Sequence, residues 1–156
     1  MTFKQPSTMA SVGRGVLAGL VGTVVMTAFQ KFAEMPITGR GDSDAPAQFA
    51  ETVLPIQVEG NDEHHRLNYV THYALGTMWG SAYGIAARAG LRGRKAVATV
   101  FGIVYTGDVL LNTALGLYQP WKWSLQDVTV DVLDKFVQAA ATGVIFDHVL
   151  DPKHSS

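Results

Sequence analysis

The sequence predicts an all-α protein: an integral membrane four-helix bundle with both termini in the cytoplasm and a long acidic connection between helices 1 and 2 on the outer side. Three observations carry this expectation. Residues 67–87 contain no fixed charge and place Gly76, Gly80 and Gly84 at intervals of four. At about 1.5 Å rise per residue, that run is long enough for a hydrocarbon layer of roughly 30 Å. The charges elsewhere sit between apolar runs rather than within them, with basic and acidic residues in different connections.

Composition alone does not make this distinction. The chain has 156 residues, so a single domain over 1–156 is the natural expectation. A hydrophobic fraction of 47% and a mean hydropathy of +0.14 are ordinary for a soluble protein. The formal net charge of -1 offers no basic surface for nucleic acid. Cysteine is absent, which excludes disulfides, thiolate nucleophiles, iron–sulfur clusters and cysteine-ligated zinc.

Helix 1 is expected over 12–33, with Ser11 as its N-cap. Gly15 and Gly19 form a step on which a second helix packs closely. Thr23, Thr27, Gln30 and Glu34 follow at spacings of four, three and four, a polar stripe that a helix in lipid turns inward. The run ends in bulky and charged residues rather than a small-residue cleavage site, so a retained helix is preferred to a signal peptide.

The connection from Met35 to Arg66 opens at Pro36 and is acidic. Ser43 or Asp44 is placed to cap a short helix over 47–54, stopped by Pro55. It is expected to lie over the mouth of the bundle, with His64 and His65 as a solvated loop pair.

Helix 2 is expected over 67–88, with His72 and the three glycines on one face. The next loop, from Arg88 through Arg92, Arg94 and Lys95, holds four positive charges and no negative one. Helix 3 is expected over 96–117, with Tyr105, Asp108 and Asn112 on one face. A bare carboxylate at the depth of Asp108 costs roughly 2.5–3.5 kcal/mol on insertion scales, so it must be protonated, paired or hydrated. Trp121 and Trp123 around Lys122 suit a headgroup anchor. Helix 4 is expected over 125–150, with Ser124 and Asp127 forming a capping box in which Asp replaces the usual Glu or Gln. Asp127, Asp131, Asp134 and Gln138 form its polar stripe, and Lys135 reaches Asp131 at i,i+4. The tail after Pro152 is expected to fray. A three-crossing alternative lays helix 4 flat on the membrane.

Lys4 and Arg14 at the N-terminal flank, with the basic 2–3 loop, place both termini inside by the positive-inside rule. Glu34, His72, Asp108, Asn112, Asp127, Asp131 and Asp134 then gather in the outer half as a candidate polar pocket. Carboxylate and imidazole together suit a divalent metal, a proton path or a cationic solute. No cofactor is assigned. A divalent metal is an open alternative, and haem is disfavoured because only His72 lies at suitable depth within a helix.

The glycine-rich first helix followed by Glu34, Met35 and Pro36, the block from His72 through Gly76, Gly80, Tyr83 and Gly84, and the layout with a long first connection together resemble the YagU-like family of small bacterial inner-membrane proteins. This chain is shorter than the family's usual members, with a smaller first connection. The resemblance implies membrane location and carries over no mechanism or residue role. No nucleophile set is present, so no catalytic residue is assigned and enzyme activity is left open. The reading preferred from sequence is a multi-pass accessory or interaction subunit of an inner-membrane complex, in contact with lipid and forming a homo-oligomer or part of a larger assembly. The alternatives are a proton- or cation-coupled transporter or channel component, a metal-binding membrane enzyme, and a soluble helical bundle.

Overall fold

The computed structural model describes residues 7–152. Lys4 and the expected frayed tail lie outside them. No β-strand occurs among the described residues. Four long helices form the body: α1 (Thr8–Phe29), α4 (Asn61–Arg88), α5 (Gly93–Ala114) and α6 (Leu125–Ile145). Two short ones, α2 (Met35–Thr38) and α3 (Ala45–Val53), belong to the first connection.

The termini follow local chemistry. Ser7, not Ser11, caps α1: its hydroxyl accepts from the Ala10 amide at 3.2 Å, while Ser11 is buried one turn inside. After Phe29 the helix runs without a break through a π-helical turn, Gln30–Glu34, into α2. The Met35 amide reaches back to the Gln30 carbonyl. This wider turn lets Pro36 enter a helical segment, so the helical path continues past the expected end at 33 to Gly39, which stops it at φ 70°.

Helix α4 starts at Asn61 rather than 67, so His64 and His65 lie on its first turns and not in a loop. Asp62 and Glu63 favour that start through the helix dipole, as Arg88 favours the other end. Helix α5 is shifted three residues earlier than expected. Gly116, at φ 76°, ends it as the amides of Leu117 and Tyr118 both turn to the Asn112 carbonyl. The capping box of α6 forms: Ser124 Oγ accepts from the Asp127 amide at 3.1 Å, and Asp127 Oδ2 accepts from the Ser124 amide at 2.8 Å. A second π-helical turn, Phe146–Leu150, follows α6.

The body is square in section. α1 packs on α4 and α6, α5 packs on the same two, and α4 meets α6 across the middle. Gly15 and Gly19 of α1 lie directly on the Gly76–Gly80–Gly84 face of α4. A Cβ on Gly19 would sit 2.9 Å from the Gly80 Cα, and one on Gly80 would sit 2.7 Å from the Gly19 Cα. Backbone therefore meets backbone, with no room for a methyl on either side. Beside this seam Trp79, Tyr83 and Phe146 fill the space between α4, α5 and α6 with Ala87, Ala96, Val100 and Ala139.

Two helical segments, Thr8–Thr38 and Gly93–Ala114, are long and apolar enough to cross a membrane. The 67–88 run, on which the sequence reading leaned most, is not one of them. Asn68, His72, four aromatic residues with polar atoms and three glycines dilute its apolar character. Lack of charge made it resemble a span more than its hydropathy warrants.

The seam sets the first testable outcome. Gly80→Val should destabilise the bundle by about 1–3 kcal/mol or more, since the obstacle is backbone rather than a movable side chain. Gly102→Ala, with nothing within 4 Å of its added methyl, should be neutral or stabilising by up to about 1 kcal/mol. Thermal unfolding of both variants in one detergent measures the contrast; equal melting temperatures would contradict the seam.

Candidate functional site

A cavity of about 210 Å³ opens at the end of the bundle where α1 meets the first connection. Its walls come from all four long helices and from the strap between α2 and α3. Glu34, His72, Asp108, Asp131 and Asp134 line it, as do Gln30, Asn68, Trp79, Tyr118, Lys135 and Gln138. Of the seven residues expected to form a pocket, five thus meet around one space.

The other two do not. Asn112 folds back on its own helix, donating from Nδ2 to the Asp108 carbonyl at 2.9 Å and to Asp108 Oδ1 at 3.0 Å. Asp127 is engaged in the α6 cap and in an exposed ion pair with Arg40 at 2.5 Å. The helix stripe placed Asp127 in the set, but it sits in the first turn of α6, where it caps the helix.

The carboxylate expected to be costly, Asp108, is paired. Lys135 Nζ lies 2.8 Å from Asp108 Oδ2 and 2.7 Å from Asp131 Oδ1, and stands 5.3 Å from the ring centres of both Tyr105 and Tyr118. One ammonium thus serves two carboxylates within an aromatic frame. The sequence shows Lys135 within reach of Asp131; it gives no sign that Asp108 of another helix completes the triad.

His72 is not bonded to Asp108 or to a tyrosine. Its Nε2 is 3.1 Å from Thr27 Oγ1, and its ring meets Tyr73 edge-on. The single Thr27 hydroxyl proton points to the Thr23 carbonyl at 2.8 Å. His72 Nε2 therefore donates to Thr27, which assigns the neutral ring its Nε2–H form. Below this pair, Gln138 Nε2 donates to Thr23 Oγ1 at 2.9 Å, and Thr23 donates to the Gly19 carbonyl at 2.8 Å. Gly76 leaves the space that the Thr23 hydroxyl occupies. This buried node is the cavity floor.

Across the cavity, Gln30 Nε2 donates to Asp134 Oδ2 at 2.7 Å, and Glu34 accepts from the Thr38 hydroxyl at 2.6 Å. Gln30 belonged to the polar stripe of helix 1 and was the recognisable signal for this contact. The strap is fastened by Asn68, whose Oδ1 accepts from the Ala47 amide at 3.0 Å and whose Nδ2 donates to the Ser43 carbonyl at 2.9 Å.

The opposite end holds a network that the sequence did not disclose. Tyr83 Oη donates to Asp147 Oδ2 at 2.5 Å, and the Gly93 amide to the same oxygen at 2.9 Å. Arg92 bridges Asp147 at 3.2 Å and Asp151 at 2.6 Å, while Arg14 reaches Asp151 at 2.8 Å. Two arginines counted as basic flank and loop charges, Arg14 and Arg92, are thus internal partners of buried carboxylates. The network ties α1, α4 and α5 to the end of α6.

Among the described residues no group of three or more His, Asp or Glu is arranged to hold a metal ion. Comparison of the chain with protein-family models, curated proteins and solved structures gave no match.

Removing one member of the Lys135 triad should be severe. Lys135→Met leaves two partly buried carboxylates without their cation and should cost about 2–3 kcal/mol, somewhat less than breaking a fully buried pair. Adding Asp108→Asn to that variant should recover part of the loss. Chemical unfolding of the single and double variants tests the coupling, and equal stabilities would show that Asp108 is independent of Lys135.

Proposed function

We propose that this chain is a multi-pass protein of the bacterial inner membrane, with α1, α4, α5 and α6 crossing and both termini in the cytoplasm, acting as an accessory or interaction subunit. One observation carries the reading: the apolar and polar residues are distributed inside out. Among the described residues no leucine or isoleucine is buried, and Val100 is the single buried valine. Leu17 is 54% exposed, Ile103 69% and Val144 57%, while Ser11, Thr23, Gln138 and Thr142 are buried. A soluble bundle hides its large aliphatic side chains, and so wide an apolar surface needs a covering. Lipid covers it without a hydrophobic demand on the interior, where small residues and hydrogen bonds then hold the helices.

The accessory role fits a blind cavity. The glycine seam, the Thr23–Gln138 node, and Tyr83 with Phe146 occupy the half of the bundle below it. A conducting path through one copy would have to pass this packed region. The transporter alternative therefore calls for an oligomer or a second conformation. The metal-enzyme alternative has less support, because the donors around the cavity do not gather in threes. Arg94 and Lys95 in the first turn of α5 favour the cytoplasmic side by the positive-inside rule. The likeness to the YagU-like family belongs to the same proposal and concerns location alone.

The absence of cysteine makes the test clean. Gln48→Cys on α3 and Arg94→Cys in the first turn of α5 are each to be treated with a membrane-impermeant maleimide in intact spheroplasts. Gln48→Cys should label at once, and Arg94→Cys only after permeabilisation. The reversed pattern would invert the orientation. Release of monodisperse protein without detergent would overturn the membrane reading.

A further inference from the structure

The charge of the cavity is unevenly matched. Among the described residues five carboxylates line it, Glu34, Asp42, Asp108, Asp131 and Asp134, against two cations, Arg40 and Lys135. Lys135 is committed to Asp108 and Asp131, and Arg40 reaches out to Asp127 at the rim. On the α1–α6 side, Glu34 and Asp134 are each only 7% exposed, and their hydrogen-bond partners are neutral: the Thr38 hydroxyl and the Gln30 amide. Glu34 lies one turn beyond Gln30, and both carboxylates line the same cavity. Among the described residues Asp134 Oδ1 is buried with no hydrogen-bond partner; Asp131 Oδ2 is unpaired too, but its carboxylate already meets Lys135, whereas Asp134 meets no cation. A buried acceptor left unpaired beside a second uncompensated carboxylate calls for a donor that brings positive charge.

We propose that the cavity binds a small protonated primary or secondary amine. Its ammonium hydrogen-bonds Asp134 Oδ1 and is attracted by Glu34. Its short carbon chain lies against Met26, Leu75 and Trp79, which form the apolar part of the wall. An organic cation suits the site better than a metal ion, because among the described residues no three carboxylate or imidazole donors gather on one point. An N–H bond is required, since a quaternary ammonium offers the orphaned oxygen no donor. The volume of about 210 Å³ suits a ligand of a few carbons. This inference rests on the cavity being the functional site, and not on the accessory role or the orientation.

The test is a titration of the protein in nanodiscs of zwitterionic lipid. Of its three tryptophans, Trp121→Phe and Trp123→Phe leave Trp79 alone as a reporter in the cavity wall. n-Butylammonium should give a saturable fluorescence change. Tetramethylammonium, n-butanol and sodium should bind at least about tenfold more weakly, the order of a lost charge-assisted hydrogen bond. Asp134→Asn should weaken n-butylammonium by at least about tenfold, and Glu34→Gln by less, while Glu59→Gln on the exposed connection changes nothing. An equal response to amine and alcohol, an unchanged affinity in Asp134→Asn, or a flat titration of the parent protein would overturn the proposal. If Asp134→Asn loses its helical circular dichroism, Glu34→Gln decides in its place: unchanged affinity there overturns it. A bundle that labels with the expected topology yet ignores amines loses the ligand and keeps the location.

Discussion

Contact between the backbones of α1 and α4 is the constraint on which the rest of this structure depends. Gly15 and Gly19 meet Gly76, Gly80 and Gly84 so closely that each glycine fills the place where its neighbour's methyl would go. Such a seam gains many small dispersion contacts and Cα–H···O approaches, and loses little side-chain entropy on assembly. It also fixes the register of the two helices to within a turn. α6 then packs against the pair by the same logic, with Thr142 entering the space left by Gly22 and Tyr83 packing against Gly143.

The seam shapes the chemistry of the interior. Helices this close leave no volume for buried leucine, so the inner faces carry threonine, glutamine and carboxylates that must satisfy one another. Thr23 and Thr27 turn their hydroxyl protons onto carbonyls of their own helix, leaving their oxygens to accept from Gln138 and His72. Two π-helical turns complete the arrangement. Each changes the helix register by one residue just where a carboxylate becomes buried: Glu34 in the turn after α1, Asp147 in the turn after α6. One end of the bundle acquires an acidic cavity and the other an arginine–aspartate clamp.

These features were unequally legible in the sequence. Period-four glycines, the Ser124–Asp127 box and the acidic stripe of α6 are local patterns, and local geometry expressed them. The convergence of Glu34, His72, Asp108, Asp131 and Asp134 followed from helix count and polar stripes together. What stayed hidden depended on helices meeting: Lys135 serving Asp108, and Arg92 spanning two carboxylates. A π-helical turn is equally hidden, because no residue spacing requires it. The early start of α4 was missed for another reason. Charge marked 61–66 as loop, although Asp62 and Glu63 are favourable residues for the first turn of a helix.

The difference between the two ends bears on what the bundle does. At the clamp, each arginine meets a carboxylate and Tyr83 supplies a further donor to Asp147, so charge and hydrogen bonding are closely matched. At the cavity, Lys135 matches the charge of one neighbour, but Asp131 and Asp134 each retain an unpaired oxygen and Glu34 has only a hydroxyl. A protein that needed this region only for stability would do better with an apolar contact, since a half-satisfied buried polar group is worse than none. The unmatched carboxylates lie at the end that is open, beneath a strap held by Asn68 and an exposed Arg40–Asp127 pair. An open, charge-mismatched end above a closely packed one supports the proposed amine site.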